Sequence, residues 1–192
     1  MGLRRIVATA GTLAVMVVMA LAPPAPATIF ERGSFSFDET FEENLCGIQV
    51  LHNEVFTADF RTRTGKGNLD QAFFGMLKAQ FSDTFTNVAT GASFTIEGHG
   101  VLNKDVKATP LGGNIFEFKV LEASTVVVRD LDGKVVLRDA GSIWRTIVFD
   151  TLGDSQPGGE VLSESIIRVN GPHPLFNMDE AAFCDMVHDL IG

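Results

Sequence analysis

The chain has 192 residues, with 24 acidic and 15 basic side chains and a formal net charge of −9 at pH 7. This length suits one domain with a sizeable apolar core. The acidic balance argues against nucleic acid and against anionic membrane surfaces as partners, because both bind lysine and arginine. The chain also has 16 Phe and no Tyr, and phenylalanine without a polar group is typical of cores and apolar pockets.

Residues 1–27 are predicted to be a signal peptide. Two arginines precede an uncharged apolar run at 6–21, and Ala25-Pro26-Ala27 fits an A-x-A cleavage site. The run is shorter than the ~20 residues of a spanning helix, although a retained anchor is the alternative. Cleavage removes two basic residues and no acid, which leaves 13 basic against 24 acidic residues. We therefore expect a secreted, soluble protein with no stable membrane anchor after cleavage.

The next part of the chain, residues 28–174, is predicted to be an antiparallel β domain. Apolar and polar side chains alternate with the period of a strand in several runs, namely Phe35–Phe41, Phe56–Phe60, Phe73–Phe85, Phe94–Ile96, Val126–Val128 and Ile143–Phe149. Turn-forming sequences separate the runs, namely Thr90-Gly91, Leu111–Asn114, Asp130–Lys134, Asp139–Gly141 and Gly158-Gly159. We expect an all-β meander of seven to eight strands. A closed barrel is favoured over a sandwich, because closure removes exposed edges.

Two segments are less regular. The run Leu69–Gln80 is predicted to be a strand, although its Ala, Met and Leu content also suits a helical turn. Residues 175–192 switch to helical spacing and are predicted to form one amphipathic helix that packs on the barrel. Asn177 fits the N-cap of that helix, with Glu180 three residues later. The apolar stripe has i, i+4, i+7 and i+8 spacing and consists of Phe183, Val187, Leu190 and Ile191.

The chain has two cysteines, Cys46 and Cys184. One pair in an exported chain predicts a disulfide, which would join the end of the first strand to the C-terminal helix. A competing interpretation is that Cys184 and His188, four residues apart on one helix, bind a metal or form a nucleophilic couple. The sequence offers no further ligands nearby, so no metal and no cofactor is expected.

Glu97 and His99 are weak candidates for catalysis. They lie two residues apart and would share one face of a strand, where a carboxylate could orient an imidazole for acid–base chemistry. The glycines on both sides of His99 would let a ligand approach closely. His52 and Glu54 repeat the pattern. An ordinary solvent-facing pair is the commoner explanation for both.

Four phenylalanines and one arginine are candidate ligand-binding residues. Phe81, Phe94, Phe116 and Phe149 would line the interior of the barrel. Arg145 is in phase with Ile143 and Ile147, which predicts an inward-facing charge. Such a charge needs a carboxylate partner or an anionic ligand, unless the strand is an exposed edge.

Several stretches resemble a family of uncharacterised secreted proteins from high-GC Gram-positive bacteria. The resemblance spans about Phe73 to Cys184, and the stretches that carry it are Asp83–Asn87 leading to Thr90-Gly91, Val127–Asp130, Arg138–Gly141 and Gly171–Pro174. The architecture is also similar to calycin-type and allene-oxide-cyclase-type barrels. The first resemblance implies a secreted barrel and no activity, because the family has none assigned. The second is at the level of the fold only, and fold does not determine function.

Three hypotheses for function follow. The first is a secreted barrel that binds a small apolar or amphiphilic molecule in a Phe-lined interior. The second is an extracellular structural or protein-interaction module, which would have a filled interior and an apolar surface patch. The third, and weakest, is an isomerase or cyclase that uses Glu97 and His99, so the protein is more simply explained as a non-enzyme. The oligomeric state is left open.

Overall fold

The computed structural model describes residues 30–65, 69, 71–154 and 156–192. The predicted signal peptide, residues 1–27, lies outside them. The described residues form seven strands followed by two helices. Their bounds are β1 Phe30–Leu45, β2 Ile48–Thr64, β3 Phe73–Asn87, β4 Ser93–Gly112, β5 Ile115–Arg129, β6 Val135–Asp150, β7 Glu160–Asn170, α1 Pro174–Asn177 and α2 Glu180–Ile191.

The seven strands form one antiparallel sheet in the order β1-β2-β3-β4-β5-β6-β7. The predicted all-β antiparallel meander is therefore confirmed. Within the described residues β1 pairs with β2 alone and β7 pairs with β6 alone. The hydrogen-bonded ladder thus ends at both strands, and the predicted closed barrel is not confirmed. Irregularities in the pairing occur in β3–β4, β4–β5, β5–β6 and β6–β7, and such bulges bend strands.

Alternation along the strands decides which face is buried. In β2 the even-numbered residues Val50, Phe56 and Ala58 are buried, whereas their odd-numbered neighbours are mostly exposed. Since successive side chains of a strand point to opposite faces, this strand has one apolar face and one wet face. The alternation of Phe with Ser, Thr and Asp in the sequence correctly predicted this division.

The core has three clusters along the sheet. The helix-end cluster contains buried residues of β2–β5, such as Val50 and Phe94, together with Phe183, Val187 and Ile191 of α2. The middle cluster is built on Phe56, Ala58, Leu77 and Ala79. The far cluster includes Phe74, Phe116, Phe118 and Val120. No residue of β7 belongs to any of the three clusters in the described part of the chain.

Two local predictions are corrected by the structure. Asp139–Gly141, predicted as a turn, lies inside β6. Asp139 is a buried anchor for the C-terminal segment, and a Cβ on Gly141 would collide with the Asn170 carbonyl and the His173 ring. Leu69–Gln80 is only partly a strand, because β3 begins at Phe73 and Leu69 lies in a separate turn.

The C-terminal segment contains two helices where one was predicted. The predicted N-cap, Asn177, is instead the last residue of α1. Asp179 caps α2, and its carboxylate accepts a hydrogen bond from the Ala182 N–H at 2.9 Å. Asp and Asn are both good caps, so the sequence alone did not separate the two positions. The predicted buried stripe is confirmed at Phe183, Val187 and Ile191.

The predicted pairing of the cysteines agrees with the structure. Cys46 lies in the turn between β1 and β2, and Cys184 lies on α2. Their sulfur atoms are 2.04 Å apart and their Cα atoms are 5.3 Å apart. The bond fastens α2 to the start of the sheet, as the sequence predicted. Among the described residues, no helix combines the length and apolar character needed to cross a membrane.

Candidate functional site

The most exposed apolar element of the described chain is the edge strand β7. Residues 160–169 are all exposed, on both faces of the strand. Five of them are large apolar residues with 40–55% of their surface accessible, namely Val161, Leu162, Ile166, Ile167 and Val169. The outer edge of β7 also has backbone N–H and C=O groups without a strand partner among the described residues. A long, apolar, unpaired edge is the template on which another strand adds.

The opposite edge, β1, has a different character. Its 16 residues include five acids and one arginine. Most of its apolar side chains lie on the half-buried face of the strand, where Phe35 and Phe37 pack against Phe56. Charged side chains on an edge discourage pairing with another strand. The two free edges of the sheet therefore differ in charge: β1 has six charged side chains, whereas β7 has three, which are Glu160, Glu164 and Arg168.

Arg145 connects β7 to the interior of the sheet. Its guanidinium donates to Glu122 of β5 at 2.9 Å and to Glu164 of β7 at 2.6 Å. Burial raises the pKa of Glu122, and the charge of Arg145 opposes that rise. The Arg145 Nε is buried and has no hydrogen-bond partner in the described part of the chain. The predicted inward-facing charge is therefore present, and carboxylates on two neighbouring strands are its partners.

The two candidate catalytic residues do not form a pair. Glu97 accepts a hydrogen bond from the Arg129 Nε at 3.0 Å, and no hydrogen bond joins it to His99 among the described residues. His99 is exposed beside an open cleft of about 320 Å³ that is bounded by Gly100, residues 123–125 and Gly141. The imidazole of His99 is therefore exposed to solvent, and the carboxylate of Glu97 is paired with Arg129. This arrangement offers no support for acid–base catalysis by the two residues.

The four candidate ligand-binding phenylalanines lie in different clusters. Phe94 is 1% exposed under α2, and Phe116 is 3% exposed in the far cluster. Phe149 is half-buried beside Phe116, whereas Phe81 is half-buried between the helix-end and middle clusters. The structure therefore does not gather the four rings around one pocket, and two of them are core residues.

His52 has carboxylate partners on the two neighbouring strands that the sequence did not reveal. Its ring stacks on Phe85 at a centroid distance of 4.2 Å and contacts the tilted ring of Phe41 at 4.8 Å. Nε2 lies 3.4 Å from Asp83, and Nδ1 lies 2.8 Å from Glu43 in a close contact without the angle of a directed hydrogen bond. Burial acts to lower the pKa of His52, but Asp83 and Glu43 outweigh it, so the pKa is raised.

The sequence analysis paired His52 with Glu54. In the structure Glu54 interacts with His52 and with Asp83 through charge. Burial and the nearby Asp83 raise the pKa of Glu54, while His52 opposes the rise. The pairing register explains why Glu43 and Asp83 were missed, since they reach His52 from β1 and β3 across the sheet. Among the described residues, no group of three or more His, Cys, Asp and Glu is arranged to hold a metal ion.

A second buried histidine holds the C-terminal segment in place. The His173 Nδ1 lies 2.8 Å from a carboxylate oxygen of Asp139, and Nε2 lies 3.0 Å from the Asn170 carbonyl. The other Asp139 oxygen accepts the N–H groups of Leu175 and Phe176 at the start of α1. His173 and Asp139 are both 5% exposed, so this is a structural fastening and not an open site.

Comparison with known proteins gives no relative for this chain: no family model, curated protein or solved structure matches it. The resemblance to the secreted family of high-GC Gram-positive bacteria, and to calycin-type and allene-oxide-cyclase-type barrels, therefore stays a prediction.

Proposed function

We propose that the protein is exported and acts outside the cell as an interaction module that binds partners by adding a strand to β7. The observation that carries this proposal is the exposure of β7 on both faces together with its unpaired edge. Isolated exposed apolar residues are common, but a contiguous apolar edge is the usual mark of an interaction surface. The disulfide fits an oxidising compartment and supports the export part of the proposal.

The partner is a second copy of this chain, with its β7 antiparallel to the first. Two residues of β7, Leu162 and Ile167, are extra in its pairing with β6, which leaves 163–166 as the regular stretch between them. A two-fold axis through this stretch pairs the free edge of one copy with the same edge of the other, because a two-fold interface uses one patch twice.

The association should depend on protein concentration and on salt. Each copy carries a net charge of −9 over the full sequence, so two copies repel at long range. Salt screens such repulsion beyond about 10 Å at 0.1 M. Sedimentation velocity of the purified protein over a range of concentrations should show a monomer–dimer equilibrium that moves towards dimer as salt rises.

A substitution on the edge tests the proposal directly. Ile167→Lys should weaken the dimer by about tenfold or more, because it places a charge in an apolar interface. A loss of about 1.4 kcal/mol in binding free energy corresponds to that factor of ten. Leu51→Lys is the matched control, since Leu51 is exposed to a similar degree on β2, away from the edge. A protein that stays monomeric at every concentration and salt tested would overturn the proposal, as would equal weakening by both variants.

A second candidate is the binding of a small apolar or amphiphilic ligand, with the sheet curling towards a closed barrel around it. The observation in its favour is a strip of half-buried rings near β1. Phe35 and Phe37 stack on Phe56 at centroid distances of 5.8 and 5.1 Å, and Phe60 lies 6.5 Å from Phe35. Native mass spectrometry of the exported protein tests it. No co-purifying mass and no rise of melting temperature across a lipid panel would remove this candidate.

A further inference from the structure

A cleft of about 240 Å³ lies on the sheet across β2, β3 and β4, away from β7. Its walls are Arg61 and Arg63 of β2, residues 74–76 of β3, and Lys104 and Asp105 of β4. Three cationic side chains therefore border one small concavity of a chain that is acidic overall.

The pairing register fixes where the three cations lie. Arg61 pairs with Met76, and Met76 pairs with Lys104, so the two cations flank Met76 in one row across three strands. With ~4.8 Å between neighbouring strands, their backbones are about 10 Å apart. Arg63 is two residues further along β2, on the same face as Arg61, and its guanidinium carbon lies 4.8 Å from the centre of the Phe74 ring. The cleft thus has cationic walls and an apolar floor.

Within the part of the chain that the structure describes, no carboxylate forms an ion pair with these three cations. Among the described residues the ion pairs of lysine and arginine involve Arg129 and Arg145, and no carboxylate oxygen lies within 4.0 Å of a nitrogen of Arg61, Arg63 or Lys104. The one acid in the cleft, Asp105, turns its oxygens to other groups. They accept from the Gly75 N–H at 2.6 Å and from the Asn103 amide at 3.4 Å.

We propose that this cleft binds a phosphoryl group, with the organic part of the ligand against Phe74 and Met76. Guanidinium groups present paired N–H donors that match the oxygens of phosphate, and an ammonium adds a compact charge. The phosphoryl group could belong to a soluble phosphate ester or to a lipid headgroup, because both offer the same oxyanion. The three cations would give the anion charge-assisted hydrogen bonds.

Asp105 makes the site sensitive to pH. Burial raises the pKa of Asp105 to about 6, although the hydrogen bonds from Gly75 and Asn103 oppose the rise. Below that pH the carboxyl is neutral and can donate a hydrogen bond to an oxyanion, whereas above it the carboxylate repels one. The other charged groups that line the cleft are the three cations. Anion binding should therefore weaken as the pH rises through about 6.

Isothermal titration of the full exported protein with inorganic phosphate, glycerol 3-phosphate and sulfate tests the proposal. We expect saturable binding that falls about tenfold in Arg61→Gln and in Lys104→Gln, since each loses a charge-assisted hydrogen bond. Arg138→Gln and Lys119→Gln, which remove exposed cations of β6 and β5, are the controls and should leave binding unchanged. Sulfate serves for the pH series because its charge is constant there, whereas a phosphate monoester such as glycerol 3-phosphate titrates at about pH 6. In Asp105→Asn the sulfate affinity should no longer depend on pH.

Vesicles separate the two sources of the phosphoryl group. Binding to phosphatidylglycerol vesicles that exceeds binding to phosphatidylcholine, and that is lost in Arg61→Gln, assigns the site to lipid headgroups. Binding of glycerol 3-phosphate without vesicle binding assigns it to soluble esters. The proposal is overturned if no phosphate probe binds saturably, or if the cleft variants and the controls lose binding equally. None of these readouts depends on dimer formation through β7.

Discussion

β7 and the C-terminal segment, residues 171–192, are neighbours in sequence, but they differ in the number of contacts that attach them to the rest of the fold. The C-terminal segment is fastened by the disulfide, by the Asp139–His173 pair, and by the Asn87 amide, which donates to the Ile191 carbonyl at 2.7 Å. It also buries three apolar residues of α2. β7 has the hydrogen bonds to β6 and a few polar side-chain contacts, and it buries no apolar residue.

This difference implies that the C-terminal segment contributes to stability and that β7 is available for recognition. Free energy of folding comes from buried apolar area and from satisfied buried polar groups, and the C-terminal segment supplies both. A strand that contributes little to the core is free to keep apolar side chains for a partner. If this division is correct, substitutions in the C-terminal segment should change the free energy of unfolding, whereas those on β7 should change assembly.

Cys184→Ser should have the largest effect on stability. The disulfide closes a loop of 138 residues, for which chain entropy gives at most about 5 kcal/mol. We expect a lower melting temperature and detachment of α2, with the β signal in circular dichroism preserved. An unchanged melting temperature, or free thiols in the native exported protein, would refute the role of this bond as a clamp.

Asp139→Ala should come next, because it leaves the buried His173 ring without its hydrogen-bond partner, and a buried polar group left unpaired costs about 1–3 kcal/mol. The substitution also removes the acceptor for two N–H groups of α1. Chemical denaturation measures the loss. Asp154→Ala is the control, since Asp154 is exposed and accepts one N–H, that of Gln156. Comparable losses in the two variants would mean that burial of the Asp139 pair adds nothing.

Arg145→Leu should cost about 1–3 kcal/mol at neutral pH, because Glu122 would lose its charged partner. The pKa of Glu122, already raised by burial, should rise further. A raised carboxyl pKa in the folded state means that destabilisation is present above that pKa and is relieved as the pH falls below it. The deficit against wild type should therefore shrink in acid. A deficit that is constant with pH would show that the ion pair is not its cause.

Ile167→Lys should have the smallest effect on the monomer, within about 0.5 kcal/mol, as for other exposed positions. Thermal unfolding at a concentration where the wild type is monomeric measures it. Val187→Ala, at a position on α2 that is 0% exposed, gives the contrast and should destabilise clearly by leaving a cavity. A β7 variant as damaging as the α2 variant would remove the difference between the two regions.

Much of the fold was predictable from sequence because burial imposes period two on these strands. The hairpin at Asp130–Lys134 was also predictable, since Asp130 accepts the N–H groups of Asp132 and Lys134 within the turn itself. Asp139–Gly141 has similar local turn chemistry, but its contacts with residues more than 30 positions later override that preference. Turn-forming sequences therefore predict a turn correctly where the hydrogen-bond partners lie within the turn itself.

The sequence patterns did not predict whether the sheet closes, nor the candidate site, because both depend on partners that are distant in sequence. Whether β1 meets β7 depends on bulges and on the summed twist of six pairings, which alternation does not encode. The partners of His52 lie on the two neighbouring strands, so they follow from register and not from spacing. The exposure of β7 was likewise hidden, because its apolar residues resemble those of a buried strand.

Hydrogen exchange followed by mass spectrometry at increasing protein concentration tests the central claim most directly. The account predicts that amides of residues 160–170 become more protected as the concentration rises, because β7 gains a second strand, while amides of α2 stay equally protected throughout. Protection of β7 that is as strong as that of α2 and independent of concentration would contradict it.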